Sequence, residues 1–203
     1  MADIRYTTRV IDDFDRDELY PPGILPPWYQ SPLWDLPGEL EGQLKSPSFD
    51  PNNQAMSVWR GGLMKDDCEV WGLSHANADL HDGFYMGLFR ADGAGYYARW
   101  ANNVGDDPVS ITRLDLSGGT LLNSTGDYLL GLGKTALMQI SGSTISVYVS
   151  TDAGANWTLL VDATDSTYRD DLYGGLGQQG GAPRWISFGA GPFVRRSQIY
   201  RCR

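Results

Sequence analysis

Three groups of side chains in this 203-residue chain have types and spacings that chemistry at a site would require. The first is acidic. A retaining glycoside hydrolase sets two carboxyl groups about 5 Å apart, one as acid and one as nucleophile, and alternate positions of a strand put such groups on one face. Glu39-Leu40-Glu41 has that alternation, but no further acid follows where a catalytic set needs it, and Glu69 has no second glutamate near it. No glycosidase is expected from these residues, and the chain is read as non-enzymatic. A serine hydrolase would need a Gly-x-Ser-x-Gly elbow, which is missing. Gly131-Leu132-Gly133-Lys134-Thr135 ends like a phosphate loop, yet Tyr128 stands where its leading glycine belongs, so it reads as a hairpin turn.

The second group is rich in oxygen ligands: Asp66, Asp67, Glu69, His75, Asn77, Asp79, His81 and Asp82. Asp79 and Asp82 with a neighbouring carbonyl could hold Ca2+, a hard cation that takes oxygen donors, whereas His75 and His81 match no compact zinc spacing. The alternative is a solvated polar loop between two strands. No cofactor other than Ca2+ is suggested. A third group suits sugars, which stack a pyranose face on an aromatic ring and surround it with Asp and Asn. Trp100 followed by Asn102, Asn103 and Asp106 could supply this, as could Trp28, Tyr29 and Trp34; Trp100 could equally be core or rim packing.

These groups need a scaffold, and the chain reads as sheet throughout. In Thr144 to Ser150 the apolar Ile145, Val147 and Val149 alternate with Ser146 and Tyr148, a turn follows, and Trp157 to Asp162 forms a second apolar run. That is an antiparallel hairpin, with Ile145, Val147 and Val149 facing inward. The linking Ser150-Thr151-Asp152-Ala153-Gly154-Ala155-Asn156-Trp157 matches an Asp-box, in which Asp152 caps turn amides, Gly154 permits the bend and Trp157 packs beneath. Further short strands separated by Gly, Asp and Asn clusters are expected at Ile4–Val10, Glu39–Lys45, Gln54–Gly61, Cys68–Leu73, Gly83–Arg90, Gly95–Asn102, Val109–Leu116, Tyr128–Gly133, Ala136–Ser141, Leu172–Gln178 and Trp185–Gly189. So many short strands imply a sandwich or barrel. The Asp-box occurs once, which excludes a propeller.

Composition narrows the partners. A net charge of −9 argues against a nucleic-acid surface, which needs clustered Lys and Arg. All but four of the 25 acidic residues are Asp, the exceptions being Glu18, Glu39, Glu41 and Glu69, and Asp favours turns and caps. No run is long and apolar enough to insert in a membrane, and the N-terminus lacks the apolar core of a signal peptide. The two cysteines, Cys68 and Cys202, are read as free thiols.

The order of certain pieces resembles the concanavalin A-like lectin/glucanase (LamG-like) jelly roll of minor tail and other virion proteins of phages infecting actinobacteria. The pieces are Asp12-Asp13-Phe14-Asp15-Arg16, Asp67-Cys68-Glu69-Val70, Gly83-Phe84-Tyr85-Met86-Gly87-Leu88-Phe89-Arg90 with Gly95-Tyr96-Tyr97-Ala98, and Gly126-Asp127-Tyr128-Leu129-Leu130. The Asp-box hairpin, Asp165-Ser166-Thr167-Tyr168, Gly174-Gly175-Leu176-Gly177 and Trp185-Ile186-Ser187-Phe188-Gly189-Ala190 complete the series, which spans about residues 10 to 190.

The resemblance implies an all-β antiparallel sandwich over residues 1–190, including a Pro-rich loop at 20–37, and a basic tail over 191–203. It implies a virion structural protein, tail-associated and made in the cytoplasm of a bacterial host, that touches other virion proteins, copies of itself and host-surface glycan. A free carbohydrate-binding lectin module is the alternative, with a glycoside hydrolase behind it. Trp28, Tyr29 and Trp34 in the Pro-rich loop, and Arg195, Arg196, Arg201 and Arg203 in the tail, depart from the compact pattern and are the expected interface residues. Those four arginines, with no acid among them, leave the rest of the chain more acidic than the whole.

Overall fold

The computed structural model describes residues 54–75, 83–101, 108–179 and 185–192, together with the backbone of three short strands nearer the N-terminus. Among the described residues fourteen strands run in chain order: β1 (Trp28–Gln30), β2 (Gly38–Leu40), β3 (Gln43–Lys45), β4 (Gln54–Trp59), β5 (Cys68–Ser74), β6 (Gly83–Phe89) and β7 (Gly95–Ala101), then β8 (Pro108–Asp115), β9 (Gly118–Asp127), β10 (Thr135–Ser141), β11 (Thr144–Ser150), β12 (Thr158–Thr164), β13 (Tyr173–Gln179) and β14 (Trp185–Pro192). They form two antiparallel seven-stranded sheets, one ordered β1-β4-β13-β6-β7-β8-β9 and the other β12-β11-β10-β5-β14-β3-β2. The described residues contain no helix.

Period-two alternation decides what lies between the sheets. Phe84, Met86 and Leu88 of β6, Tyr96, Ala98 and Trp100 of β7, and Val109 and Ile111 of β8 face Cys68 and Val70 of β5, Met138 and Ile140 of β10, and Ile145, Val147 and Val149 of β11. Trp185 of β14 meets Phe84 edge-on, with ring centroids 4.9 Å apart. Gly72 of β5 makes room for it, since a Cβ there would stand 2.7 Å from the Trp185 ring. Beyond β8 and β11 the sheet edges approach each other, and Asn123 of β9 donates to the Asp162 carbonyl of β12.

Several boundaries differ from the sequence reading. Glu39 to Lys45 is two paired strands, β2 and β3, rather than one. The strand expected at Tyr128–Gly133 lies earlier, as β9, because an exposed sheet edge needs few apolar residues and its Gly, Thr, Asn and Ser resemble turn chemistry. Residues 128–134 instead link the two sheets, so Gly131 to Lys134 lie in an inter-sheet connection and not a hairpin turn, and Thr135 opens β10. Ser74 Oγ donates to the Gly131 and Lys134 carbonyls, and Gly133 takes a φ of +73°. Finally, β14 continues through Gly191 and Pro192, which pair with Glu69 and Cys68, so the sandwich runs two residues into the segment assigned to the tail. The strand read at Ile4–Val10 lies outside the described residues.

Candidate carbohydrate-binding surface

The topology brings the start of β6 and the ends of β7 and β13 into one register. Gly83, where β6 begins, pairs with Ala101, where β7 ends, and on its other side with Gln179, the end of β13. Segments 76–82, 102–107 and 180–184 therefore leave the sheet from three adjacent positions of one row. One row further in, on the sheet's outer face, stand Tyr85 and Arg99, paired across β6 and β7, with Gly177 beside Tyr85.

Here the outer face carries a polar and aromatic platform. Tyr85 Oη donates to Gln179 Oε1 at 2.7 Å, and Arg99 Nη2 donates to the same oxygen at 3.1 Å. The Arg99 guanidinium lies 5.8 Å from the Tyr85 ring centroid, within cation–π range, and the Tyr97 ring is 5.9 Å from Tyr85. Tyr85 itself is buried, in a small outer-face cluster with Met56, Val58 and Phe89. Burial, the main cause, pushes its hydroxyl above the ordinary tyrosine range against the opposing pull of Arg99, so it stays a donor. Tyr97, Arg99 and Gln179 remain half-exposed. Gly83, between Arg99 and Gln179, is itself buried, and a Cβ there would stand 3.0 Å from the Trp100 carbonyl. A ring face, a held cation and an amide side by side can take a sugar's C–H face and its hydroxyls.

The residues proposed from sequence fall into three sets. Trp100 is a correction: it is 1% exposed, its ring packed among the core residues, and it presents no face to a sugar. Its place on β7 explains this, since Trp100 points inward where Arg99 and Ala101 point outward. Trp28 and Tyr29 lie on β1, an edge strand paired with β4, which suits a proline-flanked segment. Outside the described residues lie Trp34, Asp79, Asp82, Asn102, Asn103, Asp106, Arg195, Arg196, Arg201 and Arg203. Among the described residues no three His, Cys, Asp or Glu side chains cluster as metal ligands.

Glu69, weighed above as a catalytic carboxylate, is fully buried and accepts a 2.8 Å bond from Gln139 Nε2, so no polysaccharide reaches it. Cys68 is a buried free thiol; burial foremost, then the neighbouring Asp67 and Glu69, push it up to about 12, which keeps it protonated and inert. Lys134 of the glycine-rich turn is engaged by the Leu129 carbonyl at 2.8 Å and the Tyr128 ring at 4.6 Å.

The Asp-box forms as expected. Asp152 Oδ1 accepts from the Asn156 amide at 2.8 Å and from Ser150 Oγ at 2.7 Å, while Ser150 Oγ accepts from the Gly154 amide at 2.8 Å. Gly154 has a φ of +85°, and Ala153 before it is also left-handed at +54°. Hydrogen bonds from Ser150 and then Asn156 hold the Asp152 carboxyl down at about 2. Trp157 is half-buried.

At the opposite end, Asp165-Ser166-Thr167-Tyr168, one of the pieces that carry the resemblance, forms a brace whose role the sequence did not reveal. Tyr96 Oη donates to Asp165 Oδ1 at 2.6 Å, Arg113 reaches Asp165 Oδ2 at 2.9 Å and Asp115 Oδ2 at 3.1 Å, and Tyr168 Oη donates to Asp115 at 2.6 Å. The network ties the β12–β13 connection of one sheet edge to the rows of the other. Apart from Arg113 and Asp115, its partners stand 52 to 69 residues apart, a separation at which spacing gives no signal.

Comparison with known proteins fits this geometry. No protein-family model and no curated protein matches the chain. Among solved structures it is similar to the VIP36 exoplasmic/lumenal domain in a Ca2+- and mannose-bound form, with 12% identity, 86% of each chain covered and a TM-score of 0.64. It is also similar to the carbohydrate-binding module CBM66 of Bacillus subtilis (14% identity, 81% of this chain and 93% of that one, TM-score 0.53) and to a legume lectin-like domain of Entamoeba histolytica (8%, 82% and 90%, 0.55). The fold is thus a lectin-like, concanavalin A-like jelly-roll sandwich.

Proposed function

We propose that this protein is a non-catalytic glycan-binding module of the lectin type, whose site is the outer-face platform of Tyr85, Tyr97, Arg99 and Gln179. The observation that carries the reading is the half-exposed Tyr97 ring beside an Arg99 held in place by Gln179 and Tyr85. Fixing these groups before a ligand arrives lowers the ordering cost of binding. Catalysis finds no support in the buried Glu69. Titrating the full chain with a panel of oligosaccharides by calorimetry, and assaying the same panel for chain cleavage, tests the reading: binding without turnover is expected, and turnover abolished by Glu39→Gln or Glu69→Gln overturns it.

Calcium enters as part of this proposal through Asp79 and Asp82, on the segment that rejoins the sheet at Gly83 beside the platform. Chelation is then expected to weaken glycan binding and lower the melting temperature; no change in either returns that segment to a plain polar loop. The setting we propose is a virion, where the module is tail-associated and contacts copies of itself and other virion proteins, and the support is the ordered resemblance over residues 10 to 190. Trp28, Tyr29, Trp34 and the tail arginines are the proposed contacts. Truncation after Pro192, where β14 ends, should leave the sandwich folded while weakening incorporation.

A further inference from the structure

Resting on the glycan-binding reading, we infer that the platform selects acidic sugars, with the Arg99 guanidinium engaging a uronic-acid carboxylate while Tyr97 takes the face of the ring.

The inference begins with where the chain spends its carboxylates. Arg90 is paired with Asp92, Arg113 with Asp115 and Asp165, and Arg169 with Asp66. Arg99 differs from these in that its side-chain hydrogen bond goes to a neutral amide oxygen, Gln179 Oε1. In a chain of net charge −9, acids are abundant, yet among the described residues none is paired with this guanidinium. The charge sits half-exposed over Tyr85 with the Tyr97 ring alongside. A planar guanidinium matches a carboxylate through two parallel N–H bonds, and it is more weakly hydrated than an ammonium, which favours such pairing at a partly buried site. A pyranose bearing a carboxylate meets both groups at once, whereas a neutral sugar leaves the charge of Arg99 uncompensated. The net acidity of the chain opposes non-specific attraction of a polyanion, so a preference for the acid form should depend on a particular cation such as Arg99.

The test uses the full-length protein and three uronic-acid oligomers, of galacturonate, glucuronate and mannuronate, each beside its methyl ester, which keeps the sugar and removes the charge. The wild type is expected to bind at least one acid form about tenfold more tightly than its ester at low ionic strength, an advantage that shrinks in 0.5 M salt as screening grows. Arg99→Gln, verified folded by its melting curve, should bind acid and ester with equal affinity, whatever that affinity is. Should that variant not fold, Arg99→Lys keeps the charge without the fork and is expected to lose most of the preference; an undiminished preference in either variant overturns the assignment. Equal binding of acid and ester by the wild type overturns acid selection and leaves the glycan-binding reading standing. Binding of neither the acids, the esters nor neutral oligosaccharides overturns both.

Discussion

Replacing Asp165 by Asn tests whether the two sheets are braced through one carboxylate. That side chain is 10% exposed, accepts Tyr96 Oη and the Thr167 amide on one oxygen, and holds Arg113 on the other. Burial alone would raise its pKa; the bonds from Tyr96, Thr167 and Arg113 outweigh burial and bring it from 3.8 down to about 2. At about 1.4 kcal/mol per unit, the shift corresponds to about 2 kcal/mol of charge-dependent stability. Arg113 is 27% exposed, which keeps its own share of that figure modest. Because the folded pKa is depressed, this stability is present above the unfolded value near 4 and is lost as the pH falls through about 2. Asn keeps the shape and an acceptor but not the charge. In a chain of this size each kcal/mol moves the melting temperature by about 2–4 °C, so Asp165→Asn should melt roughly 4–8 °C below the wild type at pH 7. Urea melts at pH 7, 4 and 2 are the assay, and the gap between the proteins should close as the pH approaches 2. A variant that melts with the wild type at pH 7, or a gap that stays constant down to pH 2, refutes the brace.

Three further substitutions probe the frame around the platform. Gly72→Ala puts a Cβ 2.7 Å from the Trp185 ring and should cost about 1–3 kcal/mol in chemical denaturation, the usual range for overpacking. Trp100→Ala should cost about 3–5 kcal/mol as a core truncation; a variant of unchanged stability that loses sugar binding would restore Trp100 as a stacking residue. Asp152→Ala should lower the melting temperature above pH 4 and speed proteolytic nicking within 151–157, and since Asp152 is held down at about 2, the difference should fade toward that pH.

What could be read ahead of the structure follows the range of the interactions involved. Ile145, Val147 and Val149 announce their face because a strand's side chains alternate and one side is buried, and Ser150, Asp152, Gly154 and Asn156 bond to one another within seven residues. Both features are local, so spacing carries them. β9 escaped notice for the converse reason, since an exposed edge strand satisfies its backbone on one side and asks little of its side chains. The platform escaped because it is made by register rather than by sequence. Tyr85 and Gln179 are 94 residues apart and Arg99 and Gln179 are 80 apart, and they meet because β6 pairs with both β7 and β13. Reading Trp100 as the ring for a sugar placed the site one residue from Arg99 but on the wrong side of the sheet. In a two-layer sandwich, a shift of a single residue exchanges the core for the surface. The right strand was thus legible from its aromatic and polar content, while the working face depended on which neighbours the topology brought alongside.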